Sequence, residues 1–343
     1  MGRAAGDATL PPNRLLILDR RLPADHPALN RSRLVIHGYE LISARSALDS
    51  EDSMSWFESF ILGLVQGLTE FLPISSSAHL RLTAAFAGWN DPGPAFTAIT
   101  QIGTELAVLI YFRKDIVNIV SAWFRSLFSK EWRGNHDAQM GWLVIVGSLP
   151  IGVLGLTLQD AIDGPFRDLR LIATTLVVLG LVLGFADRRA ARDETGGRHR
   201  VANQRKTLQE LNIRDGLIFG VCQAMALVPG VSRSGATISG GLLMGYTREA
   251  AARYSFLLAV PAVLASGAFE LKDASEGHTE WGPTIFATVI AFVVGYVVIS
   301  WFMKFISSKS FMPFVIYRIL LGITLFALVG LGVLSAHAAE SAG

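Results

Sequence analysis

From Met54 onward the chain alternates long apolar runs with short charged connections, and six of those runs approach the length that crosses a bilayer. They cover roughly 94–113, 141–158, 170–187, 251–269, 283–306 and 313–336. Backbone in hydrocarbon must satisfy its own hydrogen bonds, so runs of this kind read as helices. Composition agrees: 51% of the 343 residues are hydrophobic and 17% charged, against about 25% charged in soluble domains. An ordinary soluble enzyme is excluded. A net charge of +2 gives no basis for a nucleic-acid partner. Cys222, the single cysteine, can build neither an internal disulfide nor a thiolate metal site. Pro150 and Pro261 fall inside two of the runs and predict a kink or local break in each.

Two more apolar segments, 60–88 and 215–245, are helical in pattern on either side of a polar interruption. Each half is 10–12 residues, only ~15–18 Å of helix and too short to cross the hydrocarbon core. The first interruption carries Glu70, Ser75, Ser76, Ser77 and His79; the second carries Ser232, Arg233 and Ser234. Irregular polar backbone at membrane depth survives only when protein or a water-filled cavity surrounds it. Both segments therefore read as re-entrant hairpins. A shift of 157 places Gly63, Gln66, Ser75 and Ser77 on Gly220, Gln223, Ser232 and Ser234. Each hairpin is followed by three spans, so the second enters from the side opposite the first. The expected fold is all-α and integral to the membrane. It has six transmembrane helices plus two re-entrant helix–loop–helix hairpins in an inverted-topology repeat, with halves at about 56–187 and 213–336.

Charge placement follows that topology. Eighteen lysines and arginines fall on the loops and flanks of one side, including the basic loop 188–206 and Arg318, against Arg81, Arg167, Arg170 and Lys272 on the other. The richer side is expected to be cytoplasmic. Residues 1–53 stand apart: polar, with prolines at 11, 12, 23 and 27 and no signal-peptide pattern. They are expected to be disordered or to precede a true start at Met54, leaving 54–343 as one polytopic membrane domain.

The interruptions carry the chemistry. Glu70 lies one turn after Gln66 in an otherwise apolar helix, and an intramembrane carboxylate needs a partner or a cavity. Serines at the start of a half-helix either cap it or leave its N–H groups to an anion. Arg233 needs a counter-charge, and its planar fork suits phosphate oxygens. That counter-charge is either a structural partner, Glu70 or Glu105, or the substrate. Thr237 lies one turn beyond. Glu105, mid-span, either lines the cavity or pairs with Arg233 or Arg253. One break thus offers a carboxylate, hydroxyls and an imidazole, the other a guanidinium with hydroxyls. That set suits a phosphate ester or diphosphate, with Glu70 able to hold a divalent cation and a serine or His79 able to attack or activate water.

At these residues the sequence resembles the bacterial undecaprenyl-diphosphatases of the BacA/UppP type. Gln66-GLT-Glu70-FLPISSSA-His79 matches the family's first motif and PGVSRSGAT, Pro229 to Thr237, its second. The resemblance covers 54–336. It implies hydrolysis of undecaprenyl diphosphate to the monophosphate carrier of cell-wall synthesis, a link to bacitracin resistance, a divalent cation (Mg²⁺ or Ca²⁺), and a site opening to the outer face of the bacterial plasma membrane. By position, Glu70 becomes metal ligand or acid/base, and Ser76 and His79 nucleophile or base. Arg233 becomes catalytic, while Gln66, Ser75, Ser77, Ser232, Ser234 and Thr237 bind substrate. Gln66 departs from a two-carboxylate pattern, because a glutamine cannot act as a base. The expected partners are the polyprenyl diphosphate and membrane lipids, with a homodimer left open. The rival reading is a transporter or flippase of a phosphorylated lipid or small anion; a catalytically silent scaffold is a third.

Overall fold

The structure, a computed structural model, describes residues 54–158, 166, 168–195, 205–276 and 279–336. The extension 1–53, with its expected disorder or start at Met54, lies outside the described residues, as does most of the basic loop after 195. Eleven α-helices and short 3₁₀ turns make up the described chain, with no strand among those residues. In order they are α1 Trp56–Thr69, α2 Ser76–Ala87, α3 Gly93–Tyr111, α4 Arg113–Phe128, α5 His136–Thr157, α6 Leu169–Thr195, α7 Ile213–Ala224, α8 Arg233–Leu243, α9 Arg248–Glu276, α10 Trp281–Ile306 and α11 Met312–Gly330.

Six of these, α3, α5, α6, α9, α10 and α11, are long and apolar enough to cross a membrane, and they coincide with the six runs in the sequence. Both proline expectations need correction in one respect: α5 runs unbroken through Pro150 and α9 through Pro261. α4 is a helix that lies between two spans and is not itself long and apolar enough to cross. Its Val117, Val120, Phe124 and Phe128 form an exposed apolar stripe at helical spacing.

Local chemistry sets the ends. Ser55 and Glu58 form a reciprocal capping box at the start of α1. Asn135 caps α5 and Asn212 caps α7 through their side-chain oxygens. α10 packs on α1 and α3, α5 on α7 and α9, α3 on α9, and α6 on α11, while α8 touches α6, α7 and α9. The largest apolar cluster joins Phe71 to Phe112, Phe256, Phe302, Phe311 and Phe314. Glycines permit close crossings: a Cβ at Gly63 would lie 2.5 Å from the Ala287 carbonyl oxygen, and those at Gly220 and Gly103 would meet the Gly147 and Thr288 carbonyls.

Candidate active site

The two interruptions meet. Each second half-helix starts at a serine with left-handed backbone, Ser75 at φ 75° and Ser232 at φ 69°, a conformation that costs a non-glycine residue energy and needs support from its surroundings. The support is Arg318 of α11, fully buried. Its guanidinium donates to the carbonyls of Pro73 at 3.0 Å in one break and of Gly230 and Val231 at 2.9 and 3.1 Å in the other. It also reaches Leu176 and Thr175 carbonyls on α6. Arg318 is therefore no cytoplasmic flank residue, and the charge count on that side loses it. Gly230, at φ +87°, has no room for a side chain: a Cβ would sit 2.1 Å from Thr175 Oγ1, the hydroxyl that donates to the Pro229 carbonyl.

Across this junction Arg233 Nη2 donates to Glu70 Oε1 at 2.6 Å, joining residues 163 apart in the chain. Of the two partners weighed for Arg233, Glu70 is the one taken. Glu70 Oε2 accepts from Gln66 Nε2 at 2.8 Å and from the Ser76 hydroxyl at 2.6 Å. Ser234 donates to the Leu72 carbonyl at 3.1 Å, a second tie between the breaks. Glu70 and Gln66 are buried, whereas Ser76, Ser77, His79 and Arg233 are partly open.

The serines divide the work unequally. Ser232 caps α8 by accepting from the Gly235 N–H at 3.1 Å, and its hydroxyl lies 3.2 Å from that of Ser234. Ser75 holds the corresponding place before α2 without making a side-chain cap; its hydroxyl faces Ser77 at 3.3 Å. The first turn of α2 thus keeps its N–H groups free of a side-chain acceptor, which suits an anion. Thr237 is fully buried, with its hydroxyl on the Arg233 carbonyl and against Ser255. It fastens α8 to α9.

His79 Nδ1 sits 2.7 Å from the Ser75 carbonyl and Nε2 2.7 Å from the Tyr317 hydroxyl. A carbonyl only accepts, so Nδ1 carries hydrogen, and in the neutral ring Nε2 accepts from Tyr317. Tyr317 also stacks on the imidazole at 5.6 Å between centroids. Sequence reasoning missed both Tyr317 and Arg318. The signal for Arg318 was present, a lone arginine inside the apolar run VIYRILLG with no acid on its own helix.

Two buried oxygens beside this network have no hydrogen-bond partner, Gln66 Oε1 and Glu105 Oε1. Glu105 pairs with neither arginine considered for it: Arg233 goes to Glu70 and Arg253 to Asp115 at 2.7 Å. Among the described residues no three His, Cys, Asp or Glu side chains cluster as a metal site.

Comparison with known proteins gives a consistent picture. The family described as bacitracin resistance protein BacA matches residues 59–324. The chain is 80% identical over 291 residues to undecaprenyl-diphosphatase 2 of Streptomyces avermitilis, covering 84% of this chain and all of that one. It is also 80% identical over 290 residues to the undecaprenyl-diphosphatase of Streptomyces griseus subsp. griseus, with the same coverage. The undecaprenyl-diphosphatase of Nocardioides sp. is 54% identical over 285 residues, 82% of this chain and all of that one.

Proposed function

The chain belongs to the bacitracin resistance protein BacA family, and from that membership we propose how its two interrupted helix pairs carry out the reaction. The protein is a multi-pass membrane phosphatase that hydrolyses undecaprenyl diphosphate to undecaprenyl phosphate and inorganic phosphate, returning the lipid carrier to cell-wall synthesis. The transporter reading is not favoured: moving an anion requires no hydroxyl held on a carboxylate.

The observation that carries the mechanism is the contact Ser76–Glu70–Arg233. Ser76 is the attacking group in this reading. Its oxygen forms a bond to the terminal phosphorus while its proton passes to Glu70, and the bond from that phosphorus to the bridging oxygen breaks, releasing undecaprenyl phosphate. Water then cleaves the phosphoserine to free phosphate and serine. Arg233 spends one N–H on Glu70, and the rest of its fork stabilises charge on the transferred group, together with the open N–H groups of α2. Ser75 and Ser77 lie beside that terminus as further donors, with Ser232 and Ser234 shaping the opposite wall. His79, oriented by Tyr317 and the Ser75 carbonyl, is placed to take up a proton in the water step.

The residues also fit a divalent cation of the Mg²⁺ or Ca²⁺ kind. Such a cation takes oxygen ligands and often only one or two carboxylates, completing its shell with phosphate and water. Glu70 with the orphaned Gln66 Oε1 meets that requirement. When bound, the cation would supply charge neutralisation at the phosphate oxygens.

In the same reading α1–α2 and α7–α8 are re-entrant hairpins. α1 and α7 have 14 and 12 residues, ~18–21 Å of helix, well short of the hydrocarbon thickness. The halves form an inverted repeat, supported by the paired contacts α1–α10 with α7–α5 and α3–α10 with α9–α5. The basic connections face the cytoplasm and the site opens outward. A homodimer is tested by the mass of the detergent-solubilised protein.

The experiment is phosphate release from undecaprenyl diphosphate by the purified protein in detergent, with and without chelator, alongside lipid translocation in vesicles. Chelator-sensitive release, absent in Ser76→Ala together with its phosphoserine, supports the mechanism. Translocation without release overturns it.

A further inference from the structure

The mechanism leaves a charge imbalance in the site. Its one motif carboxylate, Glu70, is neutralised by Arg233 and already accepts from Gln66 and Ser76 as well. The position one turn earlier holds a glutamine, which adds an oxygen but no charge. A divalent cation beside the diphosphate would therefore draw one neutralised carboxylate and one neutral amide oxygen from these groups, the low end of what such a cation takes.

A second carboxylate lies alongside. Glu105 of α3 is 1% exposed, and its Oε1 has no hydrogen-bond partner. The chain segments bearing Glu105 and Glu70 converge at Gly295 on α10: a Cβ there would be 3.2 Å from the Phe71 ring and 3.3 Å from Thr104 Cγ2. Phe71 follows Glu70 and Thr104 precedes Glu105. The Glu105 carboxyl lies within electrostatic reach of both Arg233 and Glu70. Its neighbours on α3 offer it nothing, since the hydroxyls of Thr100 and Thr104 donate to carbonyls of their own helix. Gln66 Oε1, also orphaned, belongs to a fully buried side chain whose amide nitrogen holds Glu70. A buried oxygen left unsatisfied calls for an occupant, an ion or an ordered water, and two such oxygens flank Glu70 and Arg233.

We propose that Glu105 supplies the second carboxylate of the cation site, providing from α3 the negative charge that Gln66 does not. The cation takes Glu105 and the Gln66 amide oxygen next to Glu70, and phosphate oxygens and water complete its shell. This rests on the phosphatase reading only for the identity of the site, because cation binding is measurable without turnover.

The test is Mn²⁺ binding to purified protein without substrate, followed by electron paramagnetic resonance, with phosphate release measured in parallel. Glu105→Gln keeps the shape and removes the charge. It is expected to weaken Mn²⁺ binding by about tenfold or more and to raise the cation concentration for half-maximal release by a similar factor. Gln66→Glu combined with Glu105→Gln returns a carboxylate to the site and is expected to regain most of that loss. A buried acid with a purely structural role predicts the opposite, wild-type Mn²⁺ affinity in Glu105→Gln, and that result overturns the proposal. So does a loss that Gln66→Glu fails to recover. If Glu105→Gln does not fold, Gln66→Glu alone decides: tighter Mn²⁺ binding supports the proposal and unchanged binding contradicts it. Glu105-dependent Mn²⁺ binding in a protein that releases no phosphate would uphold this inference while removing the phosphatase mechanism.

Discussion

Arg318 shows how a single side chain holds two distant loops in register. It is fully buried and donates to carbonyls of both interruptions and of α6. Removing it leaves several buried acceptors unsatisfied, each worth ~1–3 kcal/mol. Arg318→Ala is expected to lower stability by at least about 3 kcal/mol on that scale and to abolish turnover, read as a fall in the melting midpoint in detergent. A wild-type midpoint would contradict the role assigned to it. Glu70, Ser76, His79 and Arg233 were legible in the sequence because polar groups stand out in apolar helices. Arg318 stood out as a lone arginine in an apolar run, but its role did not, and Tyr317 gave no signal: their partners are backbone carbonyls and a side chain 238 residues away, which leave no local pattern. Thr237 was legible as a hydroxyl one turn from Arg233, yet its bond to Ser255 turns it toward packing.

Among the elements, the six spans were readable from apolar length alone. α4 was not, since its apolar positions are too few for a span and show only at a helical period between the spans. The interruptions illustrate why local sequence underdetermines geometry. Serines at both starts could either cap the half-helix or leave its N–H groups open, and only Ser232 makes a cap. The uncapped α2 terminus is the more useful for an anion. Gly230 is the hinge the second break requires, because its positive φ and its contact with Thr175 both exclude a side chain. Gly230→Ala is expected to displace Arg233 from Glu70 and cut phosphate release by about tenfold or more, the order of loss that a misplacement of about 1 Å can cause. Gly245, also at positive φ but with open space around it, is the control, and its alanine variant should keep most activity. Equal losses at the two glycines would argue against a special role for the break.

For the whole molecule, composition announced a membrane protein, while the meeting of the two interruptions brings the site's residues together. Gly63 and Gly220, paired by the sequence shift, both sit at close helix crossings, and Ser75 and Ser232 share their unusual backbone. Sidedness is checked with single cysteines in a Cys222→Ser background. An impermeant maleimide on intact cells is expected to label Asn90→Cys, before α3, and to spare Arg189→Cys, near the end of α6. The reverse pattern would invert the topology.

The central claim is that the two breaks form one reaction centre through Glu70 and Arg233. A double-mutant cycle in kcat/KM for phosphate release tests it, using Glu70→Gln, Arg233→Gln and both together. Groups acting as a unit are strongly non-additive, so each single variant should lose at least about a hundredfold and the double little more than the worse single. Near-wild-type single variants, or losses that multiply in the double, would contradict it.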